Sequence, residues 1–361
     1  MSYSLTKINK NNYRYNRSSS FEYDLLCKKI SSRYNNNNNT IVTSSGTSSL
    51  NLILKSLFIK YGWNKINIIY GWELYYETPL LFEYYEDIYP GENLNIYDTV
   101  ITSEPETDNE YLLELFNKKN IKNSINILFI ESCSNMSGWC LDFKVIKKLR
   151  KLSKKLYVIV DNTWLTSTIF NPFEYDIDIV ITSLSKHYSG GKCIGGALII
   201  KDNDIFNVTK NHYKLSGEHV SSHICSVILE NMEEMNHRIE KTSIMALKIA
   251  NYLDSKDTID KVEYPLLKTH NTFKLKDIYF KKNIGPNIFS FLINEKKEIV
   301  KEKFENMNIL NLKTSYGGED TRIDSAPVEE NDKTWCRISI GYNDDYSKII
   351  DGLNEILMDN I

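Results

Sequence analysis

Lys186 is the side chain in this sequence best placed to do covalent chemistry. It stands in Ser183-Leu184-Ser185-Lys186-His187-Tyr188-Ser189-Gly190-Gly191, directly behind a largely apolar run from Ile177 to Ile181. A primary amine can add to a carbonyl and form an imine, and neighbouring hydroxyls can hold an anion. That pairing suits a phosphorylated carbonyl cofactor. The same residues read equally well as a polar turn carrying a surface lysine. Asp161, in Val160-Asp161-Asn162-Thr163, and Asn135, in Glu131-Ser132-Cys133-Ser134-Asn135, also follow apolar runs. Upstream, Thr43-Ser44-Ser45-Gly46-Thr47-Ser48-Ser49 precedes a helical pattern of Leu50, Leu52, Ile53, Leu54, Leu57 and Phe58. A helix start presents free N–H groups and the positive end of a dipole, so it binds phosphate. A simple serine cap accounts for the same residues.

Holding these groups together requires a scaffold, and the hydrophobic pattern supplies one. Ile66 to Tyr70, Asn126 to Ile130, Tyr157 to Val160, the run into Ile181, and Ala197 to Ile200 read as strands. Between them, Phe143, Ile146, Leu149, Leu152 and Leu156 fall at helical spacing with lysines outward. Strands alternating with helices predict an α/β fold, a mostly parallel sheet flanked by helices. Ligands in such folds bind beyond the carboxyl ends of the strands, where Asn135, Asp161, Ser183, Ser185 and Lys186 fall. A long helical pattern over 220–255 leads to a smaller C-terminal α+β domain. Its strands are expected over 287–293 and 335–340, and its helices over 299–307 and 349–357. The expected division is an N-terminal arm over 1–40, with a short helix from Leu25 to Ile30, a large domain over 41–235 and a C-terminal domain over 236–361.

The totals narrow the function. The chain has 361 residues and a formal charge of −3, from 44 basic and 47 acidic residues, which gives no reason to expect nucleic acid or an anionic membrane as partner. The polar N-terminus carries no secretory pattern, and no apolar run is long enough to span a membrane. Six cysteines are scattered without Cys-X-X-Cys spacing, a pattern of free thiols rather than a disulfide frame or zinc site. No metal is expected, and the expected location is cytoplasmic.

Taken in order, these segments resemble the fold-type I pyridoxal-phosphate enzymes of cysteine and methionine metabolism, the transsulfuration group of cystathionine γ-synthases, cystathionine lyases and methionine γ-lyases. Val160-Asp161-Asn162-Thr163-Trp164, Ser183-Leu184-Ser185-Lys186, Ser315-Tyr316-Gly317-Gly318 and Arg337-Ile338-Ser339-Ile340-Gly341 carry the resemblance. It implies pyridoxal 5′-phosphate held by Lys186 as an imine, with the freed amine then removing the substrate α-proton. Asp161 would keep the pyridine nitrogen protonated, and Tyr75 would stack on the ring and assist proton transfer. Asn135 would contact the phenolic oxygen. Gly46, Thr47, Ser183 and Ser185 would hold the phosphate, with Tyr15 and Arg17 reaching it from a neighbouring subunit. Arg337, with Ser315 and Asn135, would bind the substrate α-carboxylate. The implied assembly is a homo-oligomer, a dimer or tetramer with shared active sites, acting on a small amino acid.

Departures from the family pattern bear on the substrate. Tyr76 and Glu77 stand where glycines commonly follow the stacking tyrosine. Leu80 replaces an arginine that recognises a distal carboxylate, and Thr314 stands where several members carry an acidic residue or another substrate-sensing side chain. The expected activity is γ-elimination or γ-replacement on an amino acid with a Cγ leaving group, such as an O-acylhomoserine or methionine. A β-eliminating C–S lyase and a non-catalytic scaffold homologue are the alternatives, and a transaminase or desulfurase of the same broad fold fits the motifs less well.

Overall fold

The computed structural model describes residues 19–36, 39–71, 73–89, 94–99, 105–153, 155–324 and 326–357. Seven strands form the large sheet: β1 (Thr40–Thr43), β2 (Ile66–Gly71), β3 (Asn95–Thr99), β4 (Ile125–Glu131), β5 (Lys155–Asp161), β6 (Ile179–Ser183) and β7 (Gly196–Ile200). Their order is β1-β7-β6-β5-β4-β2-β3. Only β7 runs against its neighbours, pairing antiparallel with both β1 and β6. The sheet is therefore mostly parallel, as the alternating pattern predicts.

The apolar runs of the strands are continuous because both faces of the sheet are covered. Side chains alternate between the faces with period two. In β5, Val158 and Val160 join one core while Tyr157 and Ile159 join the other; in β4, Leu128 and Ile130 part in the same way from Ile127 and Phe129. Leu50, Leu52, Ile53, Leu54, Leu57 and Phe58 of the helix Gly46–Tyr61 cover the second face. Each such side chain, once fully buried, contributes about 1.5–3 kcal/mol.

A second sheet follows, formed by β8 (Ile259–Glu263), β9 (Ile288–Ile293), β10 (Asn311–Leu312), β11 (Arg322–Ile323), β12 (Val328–Glu330) and β13 (Lys333–Ser339). Its order is β10-β11-β13-β9-β8, with β12 also on β13. It packs on its own core with the helices Met235–Asp254, Lys297–Asn306 and Tyr346–Leu357.

Local differences from the sequence reading have local causes. The helical stretch expected over 220–255 divides into Ser222–Met232 and Met235–Asp254. The short helix expected at 25–30 runs from Phe21 to Arg33, because the Ser20 hydroxyl caps the Tyr23 N–H at 3.1 Å. Its Leu26 and Ile30 are fully buried in the core of the large sheet. Strand β1, only four residues long, is too short to show a period in the sequence.

Candidate active site

Because β1, β2, β4, β5 and β6 run parallel, their carboxyl ends open on one side of the sheet, and a cleft of about 1220 Å³ lies there. Its walls include Gly46, Thr47, Tyr75, Asn135, Asp161, Ser183, Ser185, Lys186, Ser315 and Arg337. These are all the sequence-selected site residues that fall in the described part of the chain. Tyr15 and Arg17 lie outside the described residues. Leu80 is exposed on the helix Glu77–Ile88 and is absent from the cleft wall.

Lys186 leaves the end of β6 and is half-buried. Its Nζ donates to Ser315 Oγ at 3.0 Å and sits 5.0 Å from the centre of the Tyr316 ring. Burial lowers its pKa first, and the Arg337 and Arg322 charges lower it further, against the opposing pull of Asp161 and Glu77. The amine thus deprotonates more readily than a surface lysine, which both bond formation to a carbonyl and proton abstraction require. Gly317, at φ 77°, lets the segment 315–318 lie directly on Lys186: a Cβ there would stand 2.8 Å from the Lys186 carbonyl carbon.

Asp161 closes β5. Its Oδ1 accepts from the Thr163 N–H at 2.9 Å and from the Thr163 hydroxyl, while Oδ2 has no hydrogen bond from the described residues. Burial pushes its pKa up to about 6, held back by Thr163 and Lys186. Beside it in the parallel register stands Glu131. Burial and then the Asp161 charge push the Glu131 carboxyl well above its ordinary range.

The phosphate end is built by close backbone approach. Ser45 Oγ caps the helix Gly46–Tyr61 by accepting from Ser48 N at 3.0 Å, and the N–H groups of Gly46 and Thr47 have no partner within the helix. Gly196 of β7 passes beneath this turn, where a Cβ would come within 2.0 Å of the Ser45 carbonyl oxygen. Ser183 lies against Gly46, and its N–H donates to Thr163 Oγ1 at 2.9 Å. Ser185 is already engaged: its hydroxyl donates to Gly195 O at 3.1 Å and accepts from Gly195 N at 3.0 Å.

Two carboxylates that sequence reasoning missed, Glu131 and Glu73, hold Tyr75 and the loop that carries it. The Tyr75 N–H donates to Glu131 Oε1 at 2.5 Å, and Glu73 accepts from Ser134 and Ser137. The Asn135 N–H in turn donates to Glu73 O at 2.5 Å. Glu131 was visible in the sequence as the strand-end residue matching Asp161, but Glu73 carried no signal. Tyr76 adopts φ −48°, ψ −40°, an ordinary right-handed conformation, so this turn needs no glycine. The 132–140 loop is also buttressed by the second sheet, through Ser290 Oγ donating to Met136 O at 2.6 Å.

At the opposite end, Arg337 of β13 enters the cleft. Nη1 donates to Asn135 Oδ1 at 2.5 Å; Nη2 donates to Thr314 O at 3.0 Å and to the Asp324 carboxylate. Asp324, on an irregular stretch after β11, also lines the cleft and went unnoticed in the sequence.

These residues fit pyridoxal phosphate. A carboxylate oxygen with no donor among the described residues suits a protonated ring nitrogen, the free helix N–H groups suit a phosphate, and an amine with lowered pKa suits a carbonyl. Among the described residues no cluster of His, Cys, Asp or Glu could hold a metal ion, and no helix is long and apolar enough to cross a membrane.

Comparison with known proteins agrees. Residues 2–346 match the model of the family described as Cys/Met metabolism PLP-dependent enzyme. The chain is 24% identical to an L-alanine/L-glutamate racemase of Wolbachia pipientis wMel, over 65% of this chain and 58% of the racemase. It is 24% identical to a cystathionine beta-lyase of Schizosaccharomyces pombe, over 87% of this chain and 76% of that enzyme. A solved cystathionine gamma synthase from Xanthomonas oryzae pv. oryzae superposes with a TM-score of 0.81 at 20% identity, covering 99% of this chain and 90% of that one. The chain belongs to the Cys/Met metabolism family and is a pyridoxal-phosphate-dependent enzyme.

Proposed function

We propose that this enzyme performs γ-elimination or γ-replacement on a small amino acid bearing a leaving group at Cγ. The observation that carries the reading is the Lys186 amine, hydrogen-bonded to Ser315 and flanked by Asp161 and Arg337 in one cleft. Pyridoxal phosphate, when bound, supplies a reactive carbonyl and an electron-withdrawing ring that acidifies the substrate α-proton. Lys186 would hold it, with Asp161 against the ring nitrogen, Gly46, Thr47 and Ser183 around the phosphate, and Tyr75 against the ring. The Lys186 amine, with its lowered pKa, takes the α-proton and returns it elsewhere on the substrate. Tyr75, whose hydroxyl keeps its proton because burial and Glu77 raise its pKa, donates toward the departing group. Arg337 fixes the α-carboxylate, with Asn135 and Ser315 beside it.

A second reading, amino-acid racemisation, is favoured by two proton-carrying side chains, Lys186 and Tyr75, lining one cleft, and by the racemase among the relatives. Product analysis separates the readings. O-acetylhomoserine or methionine should give 2-oxobutyrate or a γ-substituted amino acid. Pyruvate from cysteine or cystathionine would instead indicate β-elimination, and a D-amino acid without oxo acid would indicate racemisation.

The division into an N-terminal arm, a large domain and a C-terminal domain, and assembly into a homo-oligomer, belong to the same proposal. Tyr76, the N-cap of the helix Glu77–Ile88, and Leu80, Tyr84 and Ile88 within it recur every fourth residue beside the cleft, and all are exposed. Such a stripe supports a second copy covering that side, which light scattering would show as a mass at least twice that of the chain.

A further inference from the structure

A guanidinium carries five N–H groups, and a two-oxygen grip on a carboxylate uses two of them that point the same way along one edge of the fork. Both such edges include Nη2. In Arg337 both hydrogens of Nη2 are committed, one to the Thr314 carbonyl and one to Asp324, and Asn135 takes one from Nη1. The hydrogens that remain, on Nε and Nη1, share no edge.

Asp324 is firmly held. Its backbone N–H donates to Arg337 O at 2.8 Å, and its Oδ1 accepts from the Ala326 N–H at 3.0 Å. The two charged side chains are only 14% and 15% exposed, so solvent and salt screen their attraction weakly. The carboxylate is thus a built part of the cleft wall.

We propose that Asp324 is an internal competitor for the substrate's α-carboxylate and sets how tightly the enzyme holds its amino acid. This rests on the reading of Arg337 as the carboxylate-binding residue. An incoming carboxylate either accepts a one-oxygen contact or waits for the Asp324–Arg337 pair to open, and its apparent affinity falls with the fraction of open fork. Asp324 touches no reacting atom. Its effect falls on amino-acid binding, and the proton transfers at Lys186 proceed unchanged.

The test uses the holoenzyme, with L-2-aminobutyrate, an amino acid with nothing to lose at Cγ, as the binding probe in calorimetry. Asp324→Asn keeps the acceptor for Ala326 and removes the charge; Asp324→Ser does so with a smaller side chain. Both are expected to bind the probe roughly tenfold tighter, as if a competitor worth one decade of affinity had been removed. KM for the amino acid turned over falls in step while kcat stays within about twofold. The gain disappears in Asp324→Asn/Arg337→Ala, relative to Arg337→Ala alone. Unchanged or weaker binding in both Asp324 variants, with Arg337→Ala binding poorly, overturns the competitor role and leaves Arg337 as the carboxylate site. Wild-type affinity in Arg337→Ala overturns the reading of Arg337, and the role of Asp324 with it.

Discussion

At one end of the cleft, the groups suited to a phosphate and a ring hang from the carboxyl termini of β1, β5 and β6, where neighbouring strands fix each backbone. At the other, Arg337 comes from β13 of the second sheet, and its partners Thr314 and Asp324 lie on irregular chain between short strands. The two ends meet at Lys186, whose backbone carries the 315–318 segment and whose amine reaches Ser315. The difference teaches a division of labour. A site held by strand ends has little freedom to vary, so it serves the cofactor common to a family. A site held by irregular chain can differ from one member to the next, so it serves the substrate.

Substitutions at each end should have different signatures. The largest effect is expected for Lys186→Ala, where both ends lose their meeting point: turnover should fall by roughly 10²–10⁴-fold, and added pyridoxal phosphate should no longer acquire a protein-dependent visible absorption. At the cofactor end, Gly196→Ala forces a methyl into the Ser45 carbonyl oxygen. It should cost roughly 1–3 kcal/mol in denaturant unfolding and weaken cofactor retention. At the substrate end, Arg337→Ala should raise KM about 10- to 100-fold, the worth of a charged hydrogen bond, and leave the cofactor spectrum as it was. A loss of cofactor in that variant would erase the distinction between the ends.

The smallest effect concerns cofactor-free protein. Asp161 titrates near 6 in the folded chain against 3.8 in an ordinary aspartate, because burial disfavours its charge. The folded state therefore holds the proton longer. Stability from this group is fully present below about pH 4 and is lost as pH rises through 6. Asp161→Asn should thus melt higher than wild type at pH 8, by no more than roughly 3 kcal/mol, and the gap should close towards pH 4. Equal melting at both values would show that the ionised carboxylate is not strained without the cofactor.

The same contrast explains what the sequence disclosed. Asp161, Ser183 and Lys186 stood out because each follows an apolar run, and an apolar run of that length in an alternating pattern is a strand with an end. Glu131 was equally placed, but its significance depends on a register that pairs it with Asp161, which no single segment records. Glu73 and Asp324 act through backbone and side-chain contacts 61 and 13 residues away in the chain, and nothing in their own surroundings marks them. Leu80 shows the reverse: conspicuous by its departure from the family pattern, it is exposed on its helix and is not among the residues lining the cleft of this chain.

The central claim is that Lys186 holds the cofactor where the two ends meet. Reducing the cofactor-loaded protein with borohydride, digesting it and weighing the peptides tests this directly. The peptide containing Lys186 alone should gain the mass of a pyridoxyl phosphate group. A label on another lysine, or none on a protein that has bound the cofactor, would contradict it.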